Sequence, residues 1–144
     1  MDEPHDLERF VQAQERTYDM AVAELRRGRK AGHWMWFVFP QIAGLGRSPT
    51  AQHFAIRSLD EARAYLRHPL LGPRLREASM ILADELPREP GMTAESVMGS
   101  IDAVKLRSSM TLFHLASDGS EAVFQRVLDR YFGGGLDTAT LDRV

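Results

Sequence analysis

Apolar residues at Leu7, Phe10, Val11, Tyr18, Val22 and Leu25 share one face of a helical pattern. Asp6 is placed to cap that helix and Gly28 and Gly32 to stop it. The cluster Arg26-Arg27-Gly28-Arg29-Lys30 therefore lies where cations meet the unpaired carbonyls of a helix end. Ser48-Pro49 reads as a cap followed by proline in the first turn, opening a short helix that carries Ala51, Phe54, Ala55 and Ile56. Ser58 and Glu61 form a capping box, and the helix they open runs through Ala62, Tyr65 and Leu66 to His68-Pro69. Leu70-Leu71-Gly72-Pro73 turns the chain, and Leu75, Ala78, Ser79, Leu82 and Leu86 make a further amphipathic face up to Pro87. The loop Pro87-Arg88-Glu89-Pro90-Gly91 has a linker's composition but is too short to divide the chain, and Thr93 caps a brief helix ending near Gly99.

From Ser100 to Ser117, at about 100° per residue, Ile101, Val104, Leu112 and Leu115 form one apolar face and Ala103, Leu106, Met110 and Phe113 a second. Asp102, Lys105 and Ser109 make one polar stripe between them; Arg107, Thr111 and His114 make the other. A helix with two apolar faces is packed on both sides and is expected at the centre of the molecule. One stripe then faces water, and the other lines a cleft or forms a second exposed edge. Asp118 is placed to cap the next helix, whose face is Val123, Phe124, Val127, Leu128, Tyr131 and Phe132. Gly133-Gly134-Gly135 ends it, and Asp137 starts a last turn containing Leu141.

The stretch His33-Trp34-Met35-Trp36-Phe37-Val38-Phe39-Pro40-Gln41 holds both tryptophans and two of the seven phenylalanines, enough apolar area to pass through the middle of a small core. Its composition suits a strand, but it shows no alternation and has no evident pairing segment, so a short buried helix stopped before Pro40 is favoured. Together these elements predict an all-α fold. We expect a compact orthogonal bundle of about six to eight helices, one domain over residues 1–144, without a significant sheet.

A chain of 144 residues can bury a core without staples, and 44% hydrophobic with 26% charged residues is ordinary globular usage, which favours neither a disordered nor a fibrous class. The absence of cysteine removes disulfides, thiolate nucleophiles and thiolate metal sites and suits a cytoplasmic setting. A formal net charge of −2 argues against general affinity for nucleic-acid backbones. The run Trp34 to Phe39 is far short of the roughly 20 residues of a membrane span. The start Met1-Asp2-Glu3-Pro4-His5-Asp6 is acidic where a signal peptide is basic and then apolar.

The aromatic stretch, the loop Gly44-Leu45-Gly46-Arg47-Ser48, the run His68-Pro69-Leu70-Leu71-Gly72, and Lys105-Leu106-Arg107-Ser108-Ser109-Met110-Thr111-Leu112-Phe113 carry a resemblance. With them the chain resembles a bacterial family of uncharacterised all-helical proteins, a domain of unknown function sometimes labelled calpastatin-like. The likeness runs from the first helix to the ending at Gly133–Gly135 and Asp137. It implies an all-α fold and no established activity. Nothing in this sequence resembles the inhibitory repeat of a disordered protein.

Chemistry could reside in the polar residues set among these apolar segments. His33, beside Trp34 and Trp36, suits a general acid or base whose pKa burial has moved, or a histidine that bonds the backbone of the Gly32 turn. Gln41 offers an amide to a ligand or to its own loop. Lys105 can bind an anion while Asp102, one turn back, orients it; as a mere surface pair they contribute tenths of a kcal/mol. Lys105 near Ser108 or Ser109 is also the pattern of a serine–lysine nucleophile, without an accompanying oxyanion-hole motif. The loop ending in Arg47-Ser48 can hold phosphate at the following helix start, although it lacks the Walker pattern and the strand context of a dinucleotide fingerprint. His5, His33, His53, His68 and His114 are scattered and no HExxH is present, so neither a metal nor a cofactor is expected.

The first reading is therefore a small-ligand pocket for a nucleotide or other phosphate-bearing molecule, between segment 33–48 and the helix 100–117. Trp34, Trp36 and Phe39 would wall it, and His33, Gln41, Arg47, Ser48, Asp102, Lys105 and Ser109 would furnish it. The order of aromatic, lysine and aspartate positions is similar to that in helical families that bind or hydrolyse ADP-ribose derivatives, an analogy only, since fold does not fix function. The alternative is a non-catalytic module that docks a protein partner on an exposed part of the aromatic stretch. RNA contact through Arg26 to Lys30 ranks below both. Burial separates the first two: tryptophans flanking a polar cleft favour a ligand, and a flat exposed patch favours a partner.

Overall fold

Ten α-helices and no strand make up the described residues, 5–86 and 88–144, of the computed structural model of this chain. The readings at Met1 to Pro4 and at Pro87 lie outside them. The helices are α1 (Glu8–Gln14), α2 (Tyr18–Arg27), α3 (Met35–Val38), α4 (Pro49–His53), α5 (Leu59–Arg67), α6 (Leu71–Met80), α7 (Ala94–Met98), α8 (Ser100–Ala116), α9 (Ala122–Phe132) and α10 (Thr138–Leu141). A π-helical turn, Ile81–Glu85, extends α6. The all-α expectation holds. The helix count exceeds the expected range because the first predicted helix divides and single turns such as α3 and α10 stand alone.

The core follows a line of rings across the bundle. Phe10 on α1 meets the edge of Tyr65 on α5 at 5.2 Å, Tyr65 meets Phe113 on α8 at 5.3 Å, and Phe113 meets Phe124 on α9 at 6.0 Å. All four are fully buried. As its two apolar faces require, α8 is central and packs against α5, α7, α9 and α10.

Local signals were mostly obeyed. Ser48 caps Ala51 N–H with Pro49 in the first turn, Thr93 and Ser96 form a reciprocal capping box, and Asp137 caps Thr140. Gly28 and Gly133 end α2 and α9 in the left-handed conformation that an L side chain resists. Where expectations failed, a longer-range contact won. The helix predicted from Leu7 to Leu25 breaks after Gln14, because α1 packs on α3 while α2 packs on the π-helical turn, surfaces that one straight helix does not cover. Asp6 does not cap it; the residue stands at φ 49° and its carbonyl accepts from the Arg9 guanidinium at 2.7 Å. Asp118, at φ 53°, does not cap α9 either; the cap position is Glu121, whose carboxylate holds Arg76 at 3.0 Å. The helix opened by Ser48 stops at His53, since Ile56 is drawn into a parallel bridge with Ile42. Ser58 accepts from Glu61 N–H at 3.1 Å, but the Glu61 carboxylate turns inward to Arg9, so only half the box forms.

The faces of α8 depart from the periodicity of its sequence in two places. Ala103, Leu106, Met110 and Phe113 are buried as expected, whereas Ile101 and Val104 are 73% and 64% exposed, because the first two turns of α8 project beyond the core. Thr111, expected on a polar stripe, is fully buried: its hydroxyl donates to Arg107 O at 2.8 Å and accepts from Asp137 N–H at 2.9 Å, pinning the C-terminal segment to α8.

Candidate functional site

An open groove of about 470 Å³ lies between the loop 41–46, the exposed first turns of α8 and the start of α10. One wall is rigid by construction. Ile56 N–H donates to Gln41 O at 2.8 Å and Ala43 N–H to Ile56 O at 2.7 Å, fixing the backbone on both sides of Ile42. Further along, Gly46 is pressed against α4 so closely that a Cβ there would sit 2.5 Å from that of Ala51. Gly44, at φ 100°, leaves room for the Arg143 side chain, which a Cβ would meet at 2.9 Å. The floor is Leu45 with Ile101 and Val104, and the polar groups at its margins are Gln41, Lys105, Ser108 and Asp137. Ser108 donates to Asp137 at 2.8 Å; the same carboxylate oxygen receives the Thr140 hydroxyl, so that end of the groove is a closed network.

A second cleft of about 250 Å³ adjoins the first across Ile101 and is lined by Lys30, His33, Trp36 and Asp102. Asp102 is shared between two ammonium groups: Lys30 at 2.8 Å and Lys105 at 3.7 Å. Lys30 is spent on the fold, since it also donates to Gly32 O and lies 5.0 Å from the centre of the Trp34 ring with little exposure. Lys105 differs. Its side chain is 25% exposed and its ammonium sits 5.1 Å from the centre of the Trp36 ring. Among the described residues it donates no hydrogen bond, because the Asp102 oxygen is beyond bonding distance. Two cations around one carboxylate leave this junction net positive.

The structure therefore brings together His33, Trp36, Gln41, Asp102 and Lys105, with His33 exposed at the mouth of the smaller cleft. It does not bring in the others. Trp34 and Phe39 are fully buried, and Trp34 goes inside because its indole N–H finds a buried acceptor in Glu24 at 2.8 Å. Arg47 and Ser48 stand exposed on the outer side of the loop, the Ser48 hydroxyl committed to capping α4. Ser109 points into the core, fully buried, and its hydroxyl has no partner among the described residues. That takes Ser109 out of the serine–lysine pattern, since a nucleophile needs access and an activating base; Ser108 lines the groove, but its hydroxyl is donated to Asp137 and not to Lys105. We expect Ser109→Ala to leave thermal stability unchanged or raised by about 1 kcal/mol, an unpartnered buried hydroxyl being itself a cost; a clear loss in a melting experiment would show that the hydroxyl has a partner.

Sequence reasoning misses Lys30 and Asp137 as parts of this region and covers Leu45 only within the segment 33–48. Lys30 was grouped with the basic cluster at the end of α2, and nothing local reveals that its partner is Asp102. Exposed Ile101 and Val104 were assigned to a packed face by periodicity. Among the described residues no three His, Asp or Glu side chains converge as a metal ion requires, and no helix is long and apolar enough to cross a membrane.

A protein-family model described as a protein of unknown function, DUF1810, matches residues 4–144. A solved structure, that of the conserved hypothetical protein Rv1873 from Mycobacterium tuberculosis, is similar at 50% sequence identity with a TM-score of 0.90, over 97% of this chain and 96% of that one. No curated protein matches the chain.

Proposed function

We propose, for a chain that belongs to the DUF1810 family of proteins of unknown function, that the groove beside α8 binds a small anionic ligand, with phosphate-bearing molecules as its class. The supporting observation is Lys105. A lysine whose side chain is three-quarters buried and whose ammonium makes no hydrogen bond among the described residues, beside an aromatic face and above an apolar floor, is an arrangement that an anion completes. Asp102 orients the lysine without saturating it, and Trp36 keeps one side of it dry. The volume of the groove is within the range of small-molecule sites. The lack of cysteine supports a cytoplasmic setting.

The test is a thermal-shift series with mononucleotides, NAD, ADP-ribose, sugar phosphates and inorganic phosphate on the natural protein and on Lys105→Met. A ligand at about a hundred times its dissociation constant stabilises the fold by roughly 2.7 kcal/mol. Such a shift, lost in Lys105→Met, is the expected result. The variant itself should fold, since it gives up one long ion pair and one partly exposed cation–π contact, together about 0.5–1 kcal/mol. A shift retained in full by the variant would refute the reading.

The exposure of Ile101 and Val104 supports a second reading, a protein-docking face with no chemistry. Under it no small anion shifts the melting temperature, and Ile101→Asp breaks a complex that Lys105→Met leaves intact.

A further inference from the structure

We infer that the anion bound in this groove carries a flat ring with a paired donor and acceptor on its edge, the chemistry of a nucleobase, and that Gln41 is the residue that reads it. The inference rests on the reading of the groove as an anion site and narrows it to nucleoside monophosphates.

Gln41 carries the argument. The residue is half-buried and lines the groove, and its amide makes no hydrogen bond among the described residues; exposed Gln12 is alike in this, whereas the amides of Gln14, Gln52 and Gln125 bond within the fold. The backbone of Gln41 is fixed by the Ile56 bond and by the preceding proline, so the side chain starts from a set position and its amide is left unused by the fold. A carboxamide presents one acceptor and two donors in one plane. It matches a neighbouring donor and acceptor on a ring edge, as glutamine does at adenine. The rest of the groove agrees. Ile101 and Val104, one helical turn apart, form with Leu45 an apolar floor on which a planar ring can lie. Lys105, on the same helix at the margin of the floor, supplies the cation for the phosphate. Anion, flat body and edge are thus each matched by a different group lining the one groove.

The closing experiment is isothermal titration calorimetry on the natural chain and on Gln41→Leu and Lys105→Met. The probes are the four common nucleoside monophosphates, ribose 5-phosphate, which has no ring edge to read, and 1-naphthyl phosphate, which has the flat body and the anion but no edge. At least one nucleotide should bind about tenfold or more tightly than either of the last two. In Gln41→Leu its affinity should fall about tenfold while naphthyl phosphate binds as before; in Lys105→Met all binding should be lost. If naphthyl phosphate matches the nucleotides and Gln41→Leu changes neither, the inference fails and the anion groove stands. If no phosphate binds, or if binding survives in Lys105→Met, the groove reading falls and this inference with it. Should Gln41→Leu fail to fold, Gln41→Met keeps the length of the side chain and removes both donor and acceptor without adding charge, and the same selective loss is required of it.

Discussion

Replacing Arg9 by methionine should cost the fold about 3–5 kcal/mol, the loss typical of a buried ion pair stripped of one partner. The guanidinium is almost wholly buried and every N–H is used. Nε donates to His53 O at 2.9 Å; one terminal nitrogen donates to His5 O and Asp6 O, both at 2.7 Å; the other donates to Ala55 O at 2.9 Å and to the Glu61 carboxylate at 2.7 Å. Its plane also lies 4.4 Å from the centre of the Phe10 ring. Methionine fills the volume but leaves a 1% exposed carboxylate and four carbonyls without their donor. Urea unfolding followed by circular dichroism reads the loss. The double variant Arg9→Met, Glu61→Gln should regain part of it, because the uncompensated charge, and not the missing contact, carries most of the penalty. A loss below 1 kcal/mol in the single variant would mean that Glu61 is protonated or solvated without Arg9. The same side chain ties α1 to the segment 53–55, whose Ile56 neighbour sets Gln41, so a softened Arg9 site should also loosen the wall of the groove.

Arg9 marks the boundary of what the sequence disclosed. Elements whose signals are local were legible: the caps at Ser48, Thr93 and Asp137, the glycine stops at Gly28 and Gly133, and the apolar faces of α6 and α9 depend on residues within a turn or two of one another. Want of alternation favours a helix for the aromatic stretch, and Met35–Val38 form one helical turn there, Met35 and Val38 buried and Trp36 and Phe37 partly exposed. Illegible features turn on partners far along the chain. Nothing near Glu61 says that its carboxylate will leave a capping box for Arg9, 52 residues away. Nothing near Lys30 says that it will saturate one side of Asp102 and so leave Lys105 open. Periodicity states which residues of α8 share a face, but not that the face loses its cover at Ile101 and Val104. Of the expected site residues, those that lie together are found where α8 passes the aromatic stretch, while Arg47, Ser48 and Ser109 lie away from them.

Glu24→Ala should destabilise the chain by about 3 kcal/mol at pH 7, and it also tests whether the site depends on the turn before it. One oxygen of Glu24 accepts from Ala31 N–H, Gly32 N–H and the Trp34 indole N–H, each at 2.8 Å. Alanine leaves the buried indole donor unpaired and releases the turn, at about 1–3 kcal/mol for each donor that water cannot reach. Burial alone would push the carboxyl up; the bonds from Gly32, Ala31 and Trp34, with the nearby Arg27 charge, outweigh it and hold the group below its ordinary value of 4.5. A depressed folded pKa stabilises the fold above the unfolded value, and that contribution drains away as pH falls through the folded one. Glu24→Gln has no such contribution. The stability gap between the natural chain and Glu24→Gln should be constant above about pH 5.5 and shrink below pH 4.5; a gap that ignores pH would show that hydrogen bonding without charge holds the turn. Because that turn carries Lys30 and His33 and leads into Trp36, Glu24→Ala should weaken anion binding while leaving the Lys105 side chain untouched. Equal affinity in the two proteins would detach the groove from the turn and confine the site to α8 and the 41–46 loop.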